Sequence, residues 1–188
     1  NPLNGVDLEG NILEVEFDSF IGRHPIPVRH GLTIGEVARM HQAYWTKTEV
    51  DLEVVSMQNW HREMYFGDTQ LPWLLPSPNL SRTESAITFP ATVLFEGTCL
   101  SEGRGTSQPL EIIGHPKIEP FSFYADYMEQ AVKKTKLGGF VLRPIMFLPT
   151  FHKHVDKVCG GFQIHVTNRR IFQPWRVGQF MMRELYQH

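Results

Sequence analysis

Three prolines fall within seven residues in the stretch L-P-W-L-L-P-S-P-N-L-S-R, Leu71 to Arg82. Proline fixes its own φ and carries no amide proton, so this run can be neither a helix interior nor a central strand. A long irregular segment is uncommon in a compact fold unless it lines a site. Regular structure must therefore lie on either side of it. With 41% hydrophobic and 20% charged residues, the chain has enough apolar material to bury a core.

On the N-terminal side, Asn1 to Gly10 is turn-rich and reads as a loop leaving an earlier element. Thr33 and Glu36 form a capping-box pattern, and Ile34, Val37, Ala38 and His41 follow at helical spacing, which predicts a helix to about Tyr44. Leu52 to Met57, rich in β-branched residues, predicts a strand. On the C-terminal side, Ser81-x-x-Glu84 is a second capping-box pattern before a short helix. Strands are predicted at Leu110–Ile113, Phe140–Phe147 and Phe162–Val166, and a helix at Tyr124–Lys134. A closing helix begins near Pro174, since proline is accepted in a first turn. This part reads as a compact α/β unit, with a domain boundary placed near Ser107.

A formal net charge of -2 without a basic run argues against nucleic-acid binding. Lys133, Lys134 and Lys136 are the densest cluster and sit at a helix end, where cations complement the dipole. No apolar run is long enough to span a bilayer. Cys99 and Cys159 leave one disulfide and two free thiols equally open. His152, His154, Asp156, Cys159 and His165 lie close in sequence but fit no familiar zinc spacing, and neither phosphate-cradling glycine motif occurs. No metal and no cofactor are expected. Ser77 and Ser101 lack the G-x-S-x-G turn of a serine hydrolase.

Polar side chains gather instead in three loops: Arg29 with His30, Ser77 with Asn79, and Glu96 through Thr106. Loops of this composition on a regular scaffold suit a sugar-binding cleft. Glycosidic bonds are usually cut by two carboxyl groups. Glu36 is already explained by its cap. Glu96 stands between Phe95, which could raise its pKa, and Gly97, which would let substrate approach; an ion pair to Arg104 is the alternative. Glu102 and Arg104 read as a loop-stabilising ion pair. Glu9 is a further carboxyl candidate, with its turn as the competing explanation. Arg104, flanked by two glycines, suits either bidentate anion binding or loop structure. Among the tryptophans, Trp73 in the proline-rich loop is best placed to stack on a sugar ring.

Taken in order, S-F-I-G-R-H-P-I-P-V-R-H-G-L-T-I-G-E (Ser19 to Glu36), L-P-W-L-L-P-S-P-N (Leu71 to Asn79) and F-E-G-T-C-L-S-E-G-R-G-T (Phe95 to Thr106) resemble the NamZ-type exo-β-N-acetylmuramidase family. G-H-P (Gly114 to Pro116) and C-G-G-F-Q-I-H-V-T (Cys159 to Thr167) match in kind. The resemblance implies a glycoside hydrolase that releases N-acetylmuramic acid from the non-reducing ends of peptidoglycan fragments during cell-wall recycling, in the cell envelope, periplasm or outside the cell. It implies a Rossmann-like domain whose end is residues 1–107, then a small α/β domain of mixed sheet and helices over 108–188. An upstream part of that Rossmann-like domain, carrying a G-P-E-H-G glutamate without counterpart here, is expected. Glu96 and Glu9 are then the catalytic candidates in this chain. Arg104, Arg29, His30, Asn79, Ser77, Trp73, Ser101 and Glu102 are the substrate-binding ones, one arginine taking the lactyl carboxylate that distinguishes muramic acid from glucosamine. A non-catalytic muropeptide-binding module, or a half-enzyme dependent on its partner domain, is the alternative.

Overall fold

A computed structural model describes residues 2–187, which divide into two compact units meeting between Pro72 and Trp73. The break falls inside the proline-rich stretch, where few backbone hydrogen bonds can cross. Ser107 lies within the second unit.

The first unit is mostly irregular. Its main helix, α1 (Ile34–Tyr44), starts on the Thr33 cap: Thr33 Oγ1 accepts from Glu36 N at 3.2 Å, and Thr33 N donates to Glu36 Oε2 at 2.8 Å. Arg62 closes on the same Glu36 carboxylate, which holds Glu36 below the usual carboxylate range, chiefly through that hydrogen bond. Glu36 is thus fully occupied in structure. The strand expected over Leu52–Met57 does not form. Strands exist only when a neighbour completes the ladder, and residues 2–72 offer isolated bridges alone, such as Glu9 with Arg29. Val55 is accordingly exposed. Val15, Phe20 and Ile21 are exposed as well, a large unshielded apolar content for one small unit.

The second unit carries α2 (Thr83–Thr92), β1 (Ile112–His115), α3 (Pro120–Phe123), α4 (Glu129–Lys134), β2 (Phe140–Phe147), β3 (Cys159–Val166) and α5 (Pro174–Gln187). A π-helical turn, Tyr124–Met128, joins α3 to α4, so the helix expected from Tyr124 begins at Pro120 and bulges midway. The Ser81 cap is displaced by one residue: Arg82 is the N-cap, without a side-chain cap bond, since a guanidinium has no acceptor, and it donates instead to Glu111.

The sheet has the order β1-β3-β2, and both ladders are antiparallel. The mixed sheet expected from the sequence is thus corrected to an antiparallel one; the single isolated bridge Gly138–Phe172 is the parallel pairing among the described residues. The central strand β3 is buried from Cys159 to Ile164, while β2 alternates with Phe140 and Leu142 inward and Val141 and Arg143 outward. The inward face builds the core with Phe162, Ile164 and Ile113 against Ala91, Phe95, Val177 and Met181. Helices α2 and α5 approach so closely that a Cβ on Gly178 would lie 2.5 Å from the Ala91 carbonyl oxygen. The outward face carries only a small cluster of Ile112, Phe147 and Cys159, with Ile145 against it. It is otherwise open.

Candidate functional site

In the second unit, one loop gathers most of the candidates. The chain leaves α2 through a 3-10 turn, Val93–Gly97, that drives Phe95 into the core and leaves Glu96 outside. Phe95 therefore does not shield the Glu96 carboxylate; Arg104 meets it instead. Ser101 then pairs with Gly114 at the free edge of β1, with Ser101 N to Gly114 O at 2.8 Å. The Ser101 hydroxyl accepts from Gly103 N at 3.1 Å and is buried, so it shapes the turn from within.

Glycine is required at position 105. Its φ is +80°, and a Cβ would lie 2.6 Å from Phe151 N and 2.8 Å from Thr150 N. The Gly105 carbonyl accepts from both Thr150 N and Thr150 Oγ1 at 2.9 Å.

These turns bring Glu96, Arg104 and Glu102 together around one guanidinium. Glu102 is 0% exposed, and Arg104 Nε lies 3.0 Å from its Oε1. That contact is a close ion pair but is misaligned as a hydrogen bond, so Oε1 has no aligned donor. Its other oxygen, Oε2, receives Lys153 Nζ at 2.9 Å. Lys153 also donates to the Phe95 carbonyl at 2.8 Å and the Leu100 carbonyl at 3.0 Å, using all three of its protons. His152 Nδ1 lies 3.5 Å from Glu102 Oε1.

The segment supplying these groups is strained. His152, His154 and Asp156 have φ of 70°, 57° and 59°, left-handed values that non-glycine residues seldom adopt. His154 Nε2 donates to the Cys99 carbonyl at 2.6 Å, and its ring meets His115 edge-on at 4.5 Å. The histidines thus strap two loops together. Among the described residues, no three His, Cys, Asp or Glu side chains assemble a metal site. Cys99 and Cys159 are both free thiols, and burial pushes the Cys159 thiol up.

The proline-rich loop closes on itself. Trp73 Nε1 donates to the Leu80 carbonyl at 3.0 Å, Leu80 N to Ser77 O at 2.9 Å, and Asn79 N to Ser77 Oγ at 3.4 Å. Trp73, Ser77 and Asn79 are half-buried. The indole is pinned by its own loop with part of its surface in solvent, as a stacking platform needs.

In the first unit, Arg29 is only 3% exposed and lies at the centre of a polar knot. Its Nη1 donates to Glu9, and its Nη2 to Asn4 Oδ1 at 2.9 Å, Asp7 Oδ2 at 3.1 Å and Tyr65 OH at 3.3 Å. Nε has no aligned partner. Arg29 and Glu9 are thus spent on each other, across the same short bridge that pairs their backbones. His30 Nδ1 accepts from Leu32 N at 3.0 Å, which puts the proton of the neutral ring on Nε2. Burial holds the His30 pKa below its ordinary value.

Two groups escaped the sequence reading. Lys153 lies between His152 and His154, and only the fold brings its ammonium to Glu102 and the Phe95 and Leu100 carbonyls. Glu111 is buried, with Arg82 Nε donating to its Oε1 at 2.8 Å and Ser85 Oγ to the same oxygen at 2.7 Å. A separation of 29 residues leaves no pattern from which that pair could be read.

Comparison with known proteins matches two family models along the chain: exo-β-N-acetylmuramidase NamZ, N-terminal, over residues 1–84, and exo-β-N-acetylmuramidase NamZ, C-terminal, over residues 87–188. A peptidoglycan β-N-acetylmuramidase NamZ from Bacillus subtilis (strain 168) is 42% identical over 186 residues, covering 99% of this chain and 44% of that protein. Two crystal structures of DUF1343 family proteins from Bacteroides fragilis NCTC 9343 are similar throughout. One has a TM-score of 0.89 and the other 0.69; each is 26% identical and 48% covered. The chain spans less than half the length of each of these relatives.

Proposed function

Because the chain belongs to the exo-β-N-acetylmuramidase NamZ family, we propose that it forms part of a glycosidase removing N-acetylmuramic acid from the non-reducing ends of peptidoglycan fragments. The observation that carries this reading is the Arg104 guanidinium, 21% exposed, held between the buried Glu102 and the part-exposed Glu96. Muramic acid brings a lactyl carboxylate, and a guanidinium presented at a loop surface is the matching fork.

The roles follow from burial. Glu102 is sealed from solvent and bound to Lys153, so it anchors Arg104 and does not react. Glu96 is 36% exposed and is the reacting carboxyl of this loop. In the resting arrangement Arg104 holds Glu96; an incoming lactyl carboxylate takes Glu96's place on the guanidinium and leaves Glu96 facing the sugar. Substrate binding would thereby release the group that acts on the glycosidic bond or its attacking water. Arg29 and Glu9, closed on each other, are structural in this reading, which narrows the catalytic pair expected from sequence to Glu96. A second carboxyl, and the earlier part of a Rossmann-like domain whose end is residues 1–107, would be supplied by a segment corresponding to the longer relatives' additional length. Trp73 and Asn79 would contact the sugar ring, and a site of action in the cell envelope or outside the cell follows from the substrate.

A binding module that holds muropeptides without cleaving them is the second reading, favoured by the single part-exposed carboxyl in this loop. Incubation with a chromogenic muramic acid glycoside separates the two. Release abolished by Glu96→Gln supports the enzyme; binding without release by the natural full-length protein supports the module. Arg104→Lys should reduce kcat/KM on muramic acid glycosides far more than on glucosamine glycosides, and equal losses on both would remove Arg104 from the lactyl role.

A further inference from the structure

An open groove of about 750 Å³ that the muramidase reading does not use runs along β2 and β3 and is lined from both faces of the sheet, with Leu142, Ile164 and Tyr124 from the inward side. Its outward side is Val141 and Arg143 of β2 with His165 and Gln163 of β3, directly paired across the ladder. Arg143 Nε donates to Gln163 Oε1 at 2.9 Å, and Gln163 is only 5% exposed. A buried amide therefore holds one edge of the guanidinium, and both terminal nitrogens donate to nothing among the described residues. The other arginine in the wall, Arg82, is already neutralised by the buried Glu111. Glu84 lines the same wall, and one of its oxygens lies 3.3 Å from the Thr83 hydroxyl.

Along the same face lies a second depression of about 590 Å³ that begins at Gly105, next to Arg104, and shares Gln108 with the first. Gly105 thus borders a depression that holds Ile145 and Phe147 of β2, and Arg143 stands two residues before Ile145 on the same face of that strand.

From this geometry we infer that Arg143 is a second carboxylate-binding subsite, which takes the next lactyl group along a peptide-free glycan chain whose terminal muramic acid occupies the Arg104 loop. This rests on the muramidase reading. The unengaged terminal nitrogens of Arg143 suit a carboxylate, and the donors and acceptors lining the same groove (Gln108, His165 and Glu84) suit sugar hydroxyls. An extended peptide is disfavoured. β2 is an edge strand, but Pro144 in its middle offers no amide proton for strand addition.

The test uses the full chain and calorimetric titration with four probes: a muramic acid–glucosamine disaccharide, the corresponding tetrasaccharide, the tetrasaccharide with its lactyl carboxyls converted to amides, and a free stem peptide. The tetrasaccharide should bind about ten-fold more tightly than the disaccharide, as one added charge-assisted pair allows. Arg143→Gln should remove that advantage while leaving disaccharide affinity unchanged, Arg143→Lys should retain part of it, and amidation should abolish it. An advantage that survives Arg143→Gln overturns the subsite, as does its absence in the unmodified chain. Binding of the stem peptide that depends on Arg143, without the tetrasaccharide advantage, overturns the glycan assignment in favour of peptide. If the tetrasaccharide binds through Arg143 while Arg104→Lys alters neither sugar's affinity, the subsite stands and the Arg104 reading falls.

Discussion

Lys153 Nζ lies 2.9 Å from Glu102 Oε2, joining a strained loop to a carboxylate with no solvent access. The pair fixes Arg104 indirectly, because Glu102 can orient the guanidinium only while its own charge is compensated. Replacing Lys153 with Met would leave the buried Glu102 charge to Arg104 alone, strip Oε2 of its donor and leave the Phe95 and Leu100 carbonyls without theirs. We expect a loss of about 3–5 kcal/mol, the usual result of breaking a buried pair from one side. Denaturant unfolding measures it, and Lys153→Met combined with Glu102→Gln should recover part of the loss.

Gly105→Ala should destabilise the second unit by about 1–3 kcal/mol, since a left-handed φ and a backbone clash coincide there. Gly97 in the same loop has nothing within 4 Å of a prospective Cβ. Gly97→Ala should stay within about 0.5 kcal/mol of the parent. Thermal denaturation of the two variants side by side checks the contrast.

Arg29 and Arg104 should separate cleanly. Arg29→Met opens a buried knot involving Glu9, Asp7 and Asn4 and is expected to lower stability by about 3–5 kcal/mol. Arg104→Lys keeps a cation beside Glu102 and should change stability far less, while weakening binding of muramic acid glycosides. Chemical denaturation combined with ligand titration reports both effects; a ligand effect confined to Arg29 would reverse the assignment.

Stability should fall on mild acidification. His30 and His115 are both held below the ordinary value of 6.5, in each case mainly by burial, and both accept a backbone amide through Nδ1. Below 6.5 the unfolded chain therefore binds protons that the folded chain refuses. Their contribution is intact above that value and is lost as pH drops through it. His30→Asn preserves an acceptor for Leu32 N without a titrating group, so its stability should vary less with pH. Unfolding midpoints measured from pH 7.5 to 5 test this, and an unchanged slope would exclude His30.

Local signals in the sequence were read well where short-range physics decides. The Thr33 cap and the helix begun by Pro174 depend on neighbours within a few residues. Leu52–Met57 failed as a strand because β-branched residues only make the segment capable of pairing. The ladder needs a partner that no local pattern announces. Glu96 and Arg104 were legible as a pair because they share one loop, eight residues apart.

The amino-acid order alone determined the family and the glycine-bounded loop that presents Arg104, because each is a property of contiguous residues. Only the tertiary structure decided which charges are buried. It consigned Arg29 to a knot with Glu9, placed Lys153 beneath Glu102, and turned Arg143 into an open groove on the sheet. Burial is set by what packs above a residue, and those neighbours arrive from distant parts of the chain.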